Sequence, residues 1–244
     1  MLANLVCGTA GAYGITPAAD SLPGSMLGGR HSAASISEQF MAVPYRAGTL
    51  RGSVSEPEQL IANFQAVDCF TFLDYVEALR RATSLADFPR SLIEVRYRNH
   101  RVSFVQRRHF FSEWAMGPSP VAQDVTRQVS PRAVRVTKWL NRGPHGAMLI
   151  QGVAAVPHVV SYIPSAAVSS ATLRHLQPGD YIGIYTDKPG LDVTHVGIYL
   201  ETAAGPVLRN ASSRRSVMQV VDSPLLAYLK DKPGIVVFRS TYHD

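Results

Sequence analysis

A thiol becomes a useful nucleophile when its thiolate is stabilised. The amino end of a helix does this through the macrodipole and the unpaired amides of its first turn. The chain has two cysteines, Cys7 and Cys69, and the second stands at such a place. From Asp68 onward, Cys69, Phe72, Val76 and Leu79 recur at intervals of 3, 4 and 3, the rhythm of one helical face, with Asp74, Glu77, Arg80 and Arg81 among the remaining positions. Asp68 is the expected N-cap, its carboxylate accepting from a first-turn amide. Cys69 then opens the helix, and the same amides can hold the negative oxygen of a tetrahedral intermediate.

Such a nucleophile needs a base to carry the proton, usually histidine, and a polar group to set that imidazole's tautomer. Of the eight histidines, His195 is the one in a placed position. In Thr194-His195-Val196-Gly197-Ile198-Tyr199-Leu200, a period of two puts His195, Gly197 and Tyr199 on one face and Val196, Ile198 and Leu200 on the core side. A hairpin through residues 201–206 brings Asn210 roughly opposite His195, where it can accept from one ring nitrogen and leave the other for Cys69. Gly197 then keeps the sheet surface open for substrate. Each residue also has a plainer reading: a buried packing cysteine, a satisfied strand histidine, an asparagine in a turn. Spacing alone leaves these readings beside the hydrolase.

The elements that must hold these residues follow from periodicity and punctuation. Strands are predicted over 181–185, 194–200, 207–211 and 235–239, bounded by Lys188-Pro189-Gly190, Gly205-Pro206 and Lys232-Pro233-Gly234. A short helix is predicted over 224–230, another over 58–64, and residues 132–175 read as β-rich. Helix first and antiparallel sheet later is the α+β pattern. Residues 1–35, rich in Gly, Ala and Ser, are expected to be a flexible arm or vestigial signal, with a single catalytic domain over 36–244. Cys7 after Leu5-Val6 fits a lipid-attachment signal poorly.

Composition narrows the classes. Hydrophobic residues make up 46% and charged residues 17%, too apolar for a disordered chain and too mixed for a membrane bundle. The longest apolar runs fall far short of the ~20 residues that cross a bilayer, so no transmembrane segment is expected. Two cysteines exclude a disulfide-dense miniprotein and a four-cysteine zinc site. The net charge of +6, from 20 Arg and 4 Lys against 18 acids, favours polyanionic partners in general.

Taken in order, Pro44-Tyr45, Asp68-Cys69, His195-Val196-Gly197-Ile198 and Asn210-Ala211-Ser212-Ser213 resemble the NlpC/P60 cysteine peptidases. More narrowly the chain is similar to the DUF1460, N-acetylmuramoyl-L-alanine amidase-like, branch. That match rests on NFQAVDCFTFLDYVE from Asn63, on Arg96-Tyr97-Arg98, on Arg108-His109-Phe110-Phe111-Ser112-Glu113-Trp114, on Tyr162-Ile163-Pro164 and on Gly190-Leu191-Asp192-Val193-Thr194-His195. The resemblance implies a papain-like α+β fold that cleaves the muramoyl–L-Ala amide of peptidoglycan or muropeptide fragments, with no metal and no cofactor. Cys69 maps to the nucleophile and His195 to the base. Asn210 falls where relatives often have His and would orient His195; Phe70 stands where they tend to have Thr or Ser. Tyr45 would hydrogen-bond substrate or oxyanion. Cleavage further along the stem, at the γ-D-glutamyl–diamino acid bond, is the rival within the same chemistry. The implied substrate points to the cell envelope or periplasm, although the N-terminus offers no convincing signal and leaves the cytoplasm open.

The stretch 96–114 holds Arg96, Arg98, Arg101, Arg107 and Arg108 among Tyr97, Phe104, Phe110, Phe111 and Trp114. Guanidinium forks suit the carboxylates of stem peptides, and Arg108 and His109, with Tyr45 and Asp68, are the substrate-contact candidates. The same texture can read phosphates and stack bases, so a non-catalytic binding module for cell wall or nucleic acid is the rival class, although no nucleic-acid partner is expected.

Overall fold

Alternating burial along the strands and an apolar stripe on the longest helix sort the chain into one antiparallel sheet with helices against it. The computed structural model describes residues 31–242; the expected arm, with Cys7, lies outside the described residues up to residue 30. In chain order the elements are α1 (Ala33–Glu38), α2 (Cys69–Arg81), α3 (Phe88–Arg96), β1 (Ala122–Asp124), α4 (Thr126–Val129), β2 (Val134–Leu140), β3 (Val156–Pro164), α5 (Ser170–Leu173), β4 (Tyr181–Tyr185), β5 (Val193–Thr202), β6 (Gly205–Ser212), β7 (Gln219–Pro224), α6 (Leu225–Leu229) and β8 (Gly234–Ser240). The sheet runs β2-β3-β8-β4-β5-β6-β7, with β1 pairing on β8, and every pairing is antiparallel. This is the expected α+β class.

Two cores lie on the sheet's two faces. Phe72, Leu73, Val76 and Leu79 of α2 pack with Val196, Ile198 and Leu200 of β5. The other core joins Ile182, Ile184, Tyr199, Leu208, Ile235 and Val237 to Leu225 and Leu229 of α6. Each large apolar side chain removed from water contributes roughly 2 kcal/mol, so β5 is held from both sides. Tyr199, expected on the open face with His195, is therefore buried.

Asp68 caps α2 as its sequence predicts. Its Oδ1 accepts from the Phe70 and Thr71 amides at 3.0 and 2.7 Å, and the Thr71 hydroxyl accepts from the Asp68 amide at 2.9 Å. At the other end the buried Glu77 carboxylate accepts from Arg80, Arg81, Tyr181 and Ser240, tying α2 to β4 and β8. The helix that opens with Cys69 is thus capped at its start and tied to the sheet through Glu77.

The helix expected over 58–64 does not form. Leu60, Ala62 and Phe64 are buried alternately with more exposed neighbours, the period of extended chain. Side chains satisfy the backbone there: Arg96 donates to the Ile61 carbonyl and the Asn63 amide to the Tyr75 hydroxyl. Tertiary contacts override a weak local preference.

Candidate active site

The first turn of α2 and the start of β5 bring Cys69 and His195 to one cleft of about 140 Å³, with Phe70, His109, Phe111 and Asp192 among its walls. Cys69 is half-buried, and the amides of Val196, Cys69 and Phe70 point at its sulfur. The Val196 amide follows His195 directly, so the sulfur rests against the strand that carries the imidazole. Burial chiefly, and the charge at Cys69 after it, raise the hydroxyl pKa of Tyr45 and of Tyr228, with Arg214 opposing the rise at Tyr228.

The electrostatics differ from the expectation. Burial first, and the Asp68 carboxylate second, push the Cys69 thiol up to about 12 against the pull of the three amides. The helix end that should stabilise a thiolate is capped by an acid that opposes it. His195 is held below its usual value, chiefly by burial and also by Arg214 and Lys232, while its bond to Asn210 pulls the other way. The resting pair is a neutral thiol and a neutral imidazole.

A bulge aims the imidazole. β4 pairs Ile184 with His195 but Tyr185 with Val193, leaving Thr194 as the extra residue. Bulges re-direct a side chain at the cost of one unpaired residue. His195 Nε2 then lies 2.9 Å from Asn210 Oδ1. The β5–β6 register pairs Ile198 with Arg209 and Tyr199 with Leu208, which sets Asn210 level with Gly197, so it reaches His195 diagonally. Gly197 serves packing and not substrate access: a Cβ there would stand 2.7 Å from the Arg209 carbonyl and 2.7 Å from the Leu208 side chain.

The substrate-contact candidates divide. Tyr45 is near enough to Cys69 to feel its charge but is not among the cleft residues, and its amide donates to the Met218 carbonyl. The Asp68 carboxylate is taken up by the cap. His109 lines the cleft, its Nε2 on the Phe104 carbonyl at 2.8 Å. Arg108 does not line it: its buried guanidinium donates to the carbonyls of Glu94, Val95, Tyr97 and Ser119. Its arginine neighbours are engaged likewise, Arg96 with Asp74, Arg98 with Glu113 and Arg107 with Glu58. That stretch builds the fold, and as a carboxylate reader at the cleft it is corrected.

Sequence reasoning missed Asp192, Tyr228, Arg214 and Lys232. Asp192 accepts from the Ser112 and Val193 amides at 2.6 and 2.8 Å and pins the segment before the bulge. The Tyr228 ring stacks on His195 with centroids 6.2 Å apart and planes 25° apart. Tyr228 sits on a five-residue helix with no periodic signal, and only the expected α6 could have pointed to it.

Among the described residues no group of His, Cys, Asp and Glu could hold a metal ion, and no helix is long and apolar enough to cross a membrane. A family model described as N-acetylmuramoyl-L-alanine amidase-like (AmiA-like) matches residues 35–235. The fold is similar to two crystal structures of an N-acetylmuramoyl-L-alanine amidase from Bacteroides uniformis ATCC 8492. Their identities are 29% and 30% and their TM-scores 0.72 and 0.71, each over 86% of this chain and 98% of that one. It is also similar to a candidate xylanase from Bacteroides fragilis, 30% identical with a TM-score of 0.69 over 84% of this chain and 99% of the other. A Legionella pneumophila protein of family DUF1460 shares the fold at 21% identity and a TM-score of 0.69, over 85% and 87% of the two chains. No curated protein matches.

Proposed function

The chain belongs to the N-acetylmuramoyl-L-alanine amidase-like family, and on that footing we propose that it hydrolyses the amide joining the lactyl group of N-acetylmuramic acid to L-alanine, with Cys69 as nucleophile. The observation that carries the reading is the Cys69 sulfur, at the head of α2, sharing a cleft with an imidazole whose far nitrogen is held by Asn210. A nucleophile on a helix end facing a strand-borne histidine also supports a place among the papain-like NlpC/P60 peptidases.

With both partners neutral at rest, the thiol proton passes to His195 Nδ1 as sulfur attacks the carbonyl carbon. The C–S bond forms, the carbonyl π electrons move to oxygen, and the Cys69 amide, which the Asp68 cap leaves free, serves as a donor to that oxyanion. Collapse breaks the C–N bond, and the imidazolium returns its proton to the departing amine of L-alanine. A water then gives a proton to the same nitrogen, attacks the thioester and releases the muramic acid carboxyl group and the thiol. Tyr45, near enough to Cys69 to feel its charge, supplies a further hydroxyl donor toward substrate. On the ground of that substrate we propose the cell envelope or periplasm as its compartment, with muropeptide fragments in the cytoplasm as the other.

A glycosidase reading finds no support. Glycoside hydrolysis uses two carboxyl groups across the scissile bond, whereas the cleft wall carries Asp192 alone, with both oxygens accepting backbone amides.

Muropeptides incubated with the wild type and with Cys69→Ala, followed by mass analysis, test the proposal. Peptides beginning with L-alanine, formed by the wild type only, are the expected result. Products cut further along the stem would move the activity to the γ-D-glutamyl bond, and binding without any Cys69-dependent product would leave a binding module.

A further inference from the structure

Two cations and one ring meet beside the candidate base. The Arg214 guanidinium lies 5.0 Å and the Lys232 ammonium 5.9 Å from the centroid of Tyr228, whose ring stacks on His195. They come from different parts of the sequence, Arg214 from the turn between β6 and β7 and Lys232 from the turn before β8. Neither forms an ion pair among the described residues, whereas Arg209 and Arg239, on the strands those turns join, are paired with Asp222 and Asp180. Two like charges held around one ring repel each other, and an anion placed between them relieves that repulsion. The ring holds both cations near its face, which lowers the entropy lost when they grip a ligand.

The surroundings give this edge its place in the cleft. Tyr228 is close enough to Cys69 to feel its charge. The turn carrying Arg214 is joined to the segment of Tyr45 by the Pro44–Gln219 bridge and by the bond from the Tyr45 amide to the Met218 carbonyl. The basic pair is thus reached from the cleft through His195, on which Tyr228 stacks, beyond the cleft residues His109, Phe110 and Phe111.

Resting on the amidase reading above, we infer that Arg214 and Lys232, set by Tyr228, form a carboxylate-binding edge that selects the acidic peptide portion of the substrate. A carboxylate bridging the two cations would draw the peptide across the His195 side of the groove and leave its amide bond over Cys69.

The test compares kcat/KM on an N-acetylmuramoyl peptide with free carboxylates and on the same peptide with those groups converted to carboxamides. The wild type is expected to prefer the carboxylate form by roughly tenfold at low salt, the range of a charge-assisted contact at a partly exposed site. Arg214→Gln brings the ratio close to one, Lys232→Gln lowers it, and Arg215→Gln, an exposed neighbour in the same turn, leaves it in place. Raising salt shrinks the wild-type ratio. A wild-type ratio near one, or a full ratio retained in Arg214→Gln, overturns the edge while cleavage itself still upholds the amidase reading. Cleavage of neither form removes both.

Discussion

Asn210 Oδ1 stands 2.9 Å from His195 Nε2, and the rest of the asparagine decides what that contact means. Asn210 Nδ2 donates to the Leu208 carbonyl at 3.0 Å and to the Ser223 hydroxyl at 3.1 Å. A carbonyl can only accept, so the amide cannot be turned round without losing that bond. The atom facing the imidazole is then the oxygen, Nε2 carries the hydrogen, and Nδ1 keeps the lone pair that the proposed mechanism uses.

Replacing Asn210 tests that chain of fixings. Asn210→Ala should lower kcat by roughly tenfold to a hundredfold, the usual effect of losing a group that orients a catalytic histidine. Asn210→Asp has a different signature. A carboxylate beside the ring favours the imidazolium, so the acidic limb of the kcat/KM profile should move to higher pH. Equal losses in both variants with an unmoved limb would reduce Asn210 to packing.

The neutral resting pair predicts the pH dependence. Only the unprotonated imidazole can take the thiol proton, and His195 is held below its usual value by burial with help from Arg214 and Lys232; Tyr228 stacks on it and Asn210 opposes the shift. Activity should therefore appear as pH rises through a value under about 6.5 and hold level across neutrality, since the thiol does not ionise there. The same thiol, pushed up to about 12, should react with iodoacetamide at pH 7 more slowly than free cysteine, measured in a Cys7→Ser background. Fast alkylation at neutral pH would mean a thiolate–imidazolium pair instead.

What the sequence made legible was local. Asp68 and the interval pattern from Cys69 locate α2 because capping and amphipathicity are written in neighbouring residues. Tyr181–Tyr185 is read to the residue, since turn chemistry bounds it on both sides. The misses are all long-range. Nothing near Glu58 announces that Arg107 and Tyr97 will claim its carboxylate, or that residues 58–64 will stay extended. The arginines at 96–108 look like a binding surface by composition, and only the fold shows Arg96, Arg98, Arg107 and Arg108 engaged with carboxylates and carbonyls of the protein itself. Tyr228, Arg214 and Lys232 are unremarkable apart and meet only when β6, β7 and β8 are assembled.

Gly197 offers a test of the diagonal contact. A methyl group there meets the Arg209 carbonyl and the Leu208 side chain at 2.7 Å, closer than packing allows, so Gly197→Ala must push β6 away from β5. Overpacking of this kind costs about 1–3 kcal/mol. Because β6 carries Asn210, activity should fall at temperatures where the variant is still folded by circular dichroism, with its acidic limb also displaced. An active variant with only a lower Tm would show that β6 can shift without releasing His195.

Glu77 tests whether anchoring α2 keeps the nucleophile in place. Its fully buried carboxylate accepts from Arg80 at 3.1 Å, Arg81 at 2.8 Å, Tyr181 at 2.6 Å and Ser240 at 2.7 Å. Removing one partner of a buried charge cluster leaves the others uncompensated, at about 3–5 kcal/mol. For a protein of this size that is on the order of 10 °C in Tm. Glu77→Gln retains an acceptor for Tyr181 and Ser240 but no charge for the two arginines, so it should be less stable than the wild type and more stable than Glu77→Ala. Cys69 lies two turns away at the other end of the same helix, so both variants should keep kcat near that of the wild type well below their melting temperatures. A large kcat loss in folded Glu77→Gln would place the helix anchor within the catalytic geometry rather than beneath it.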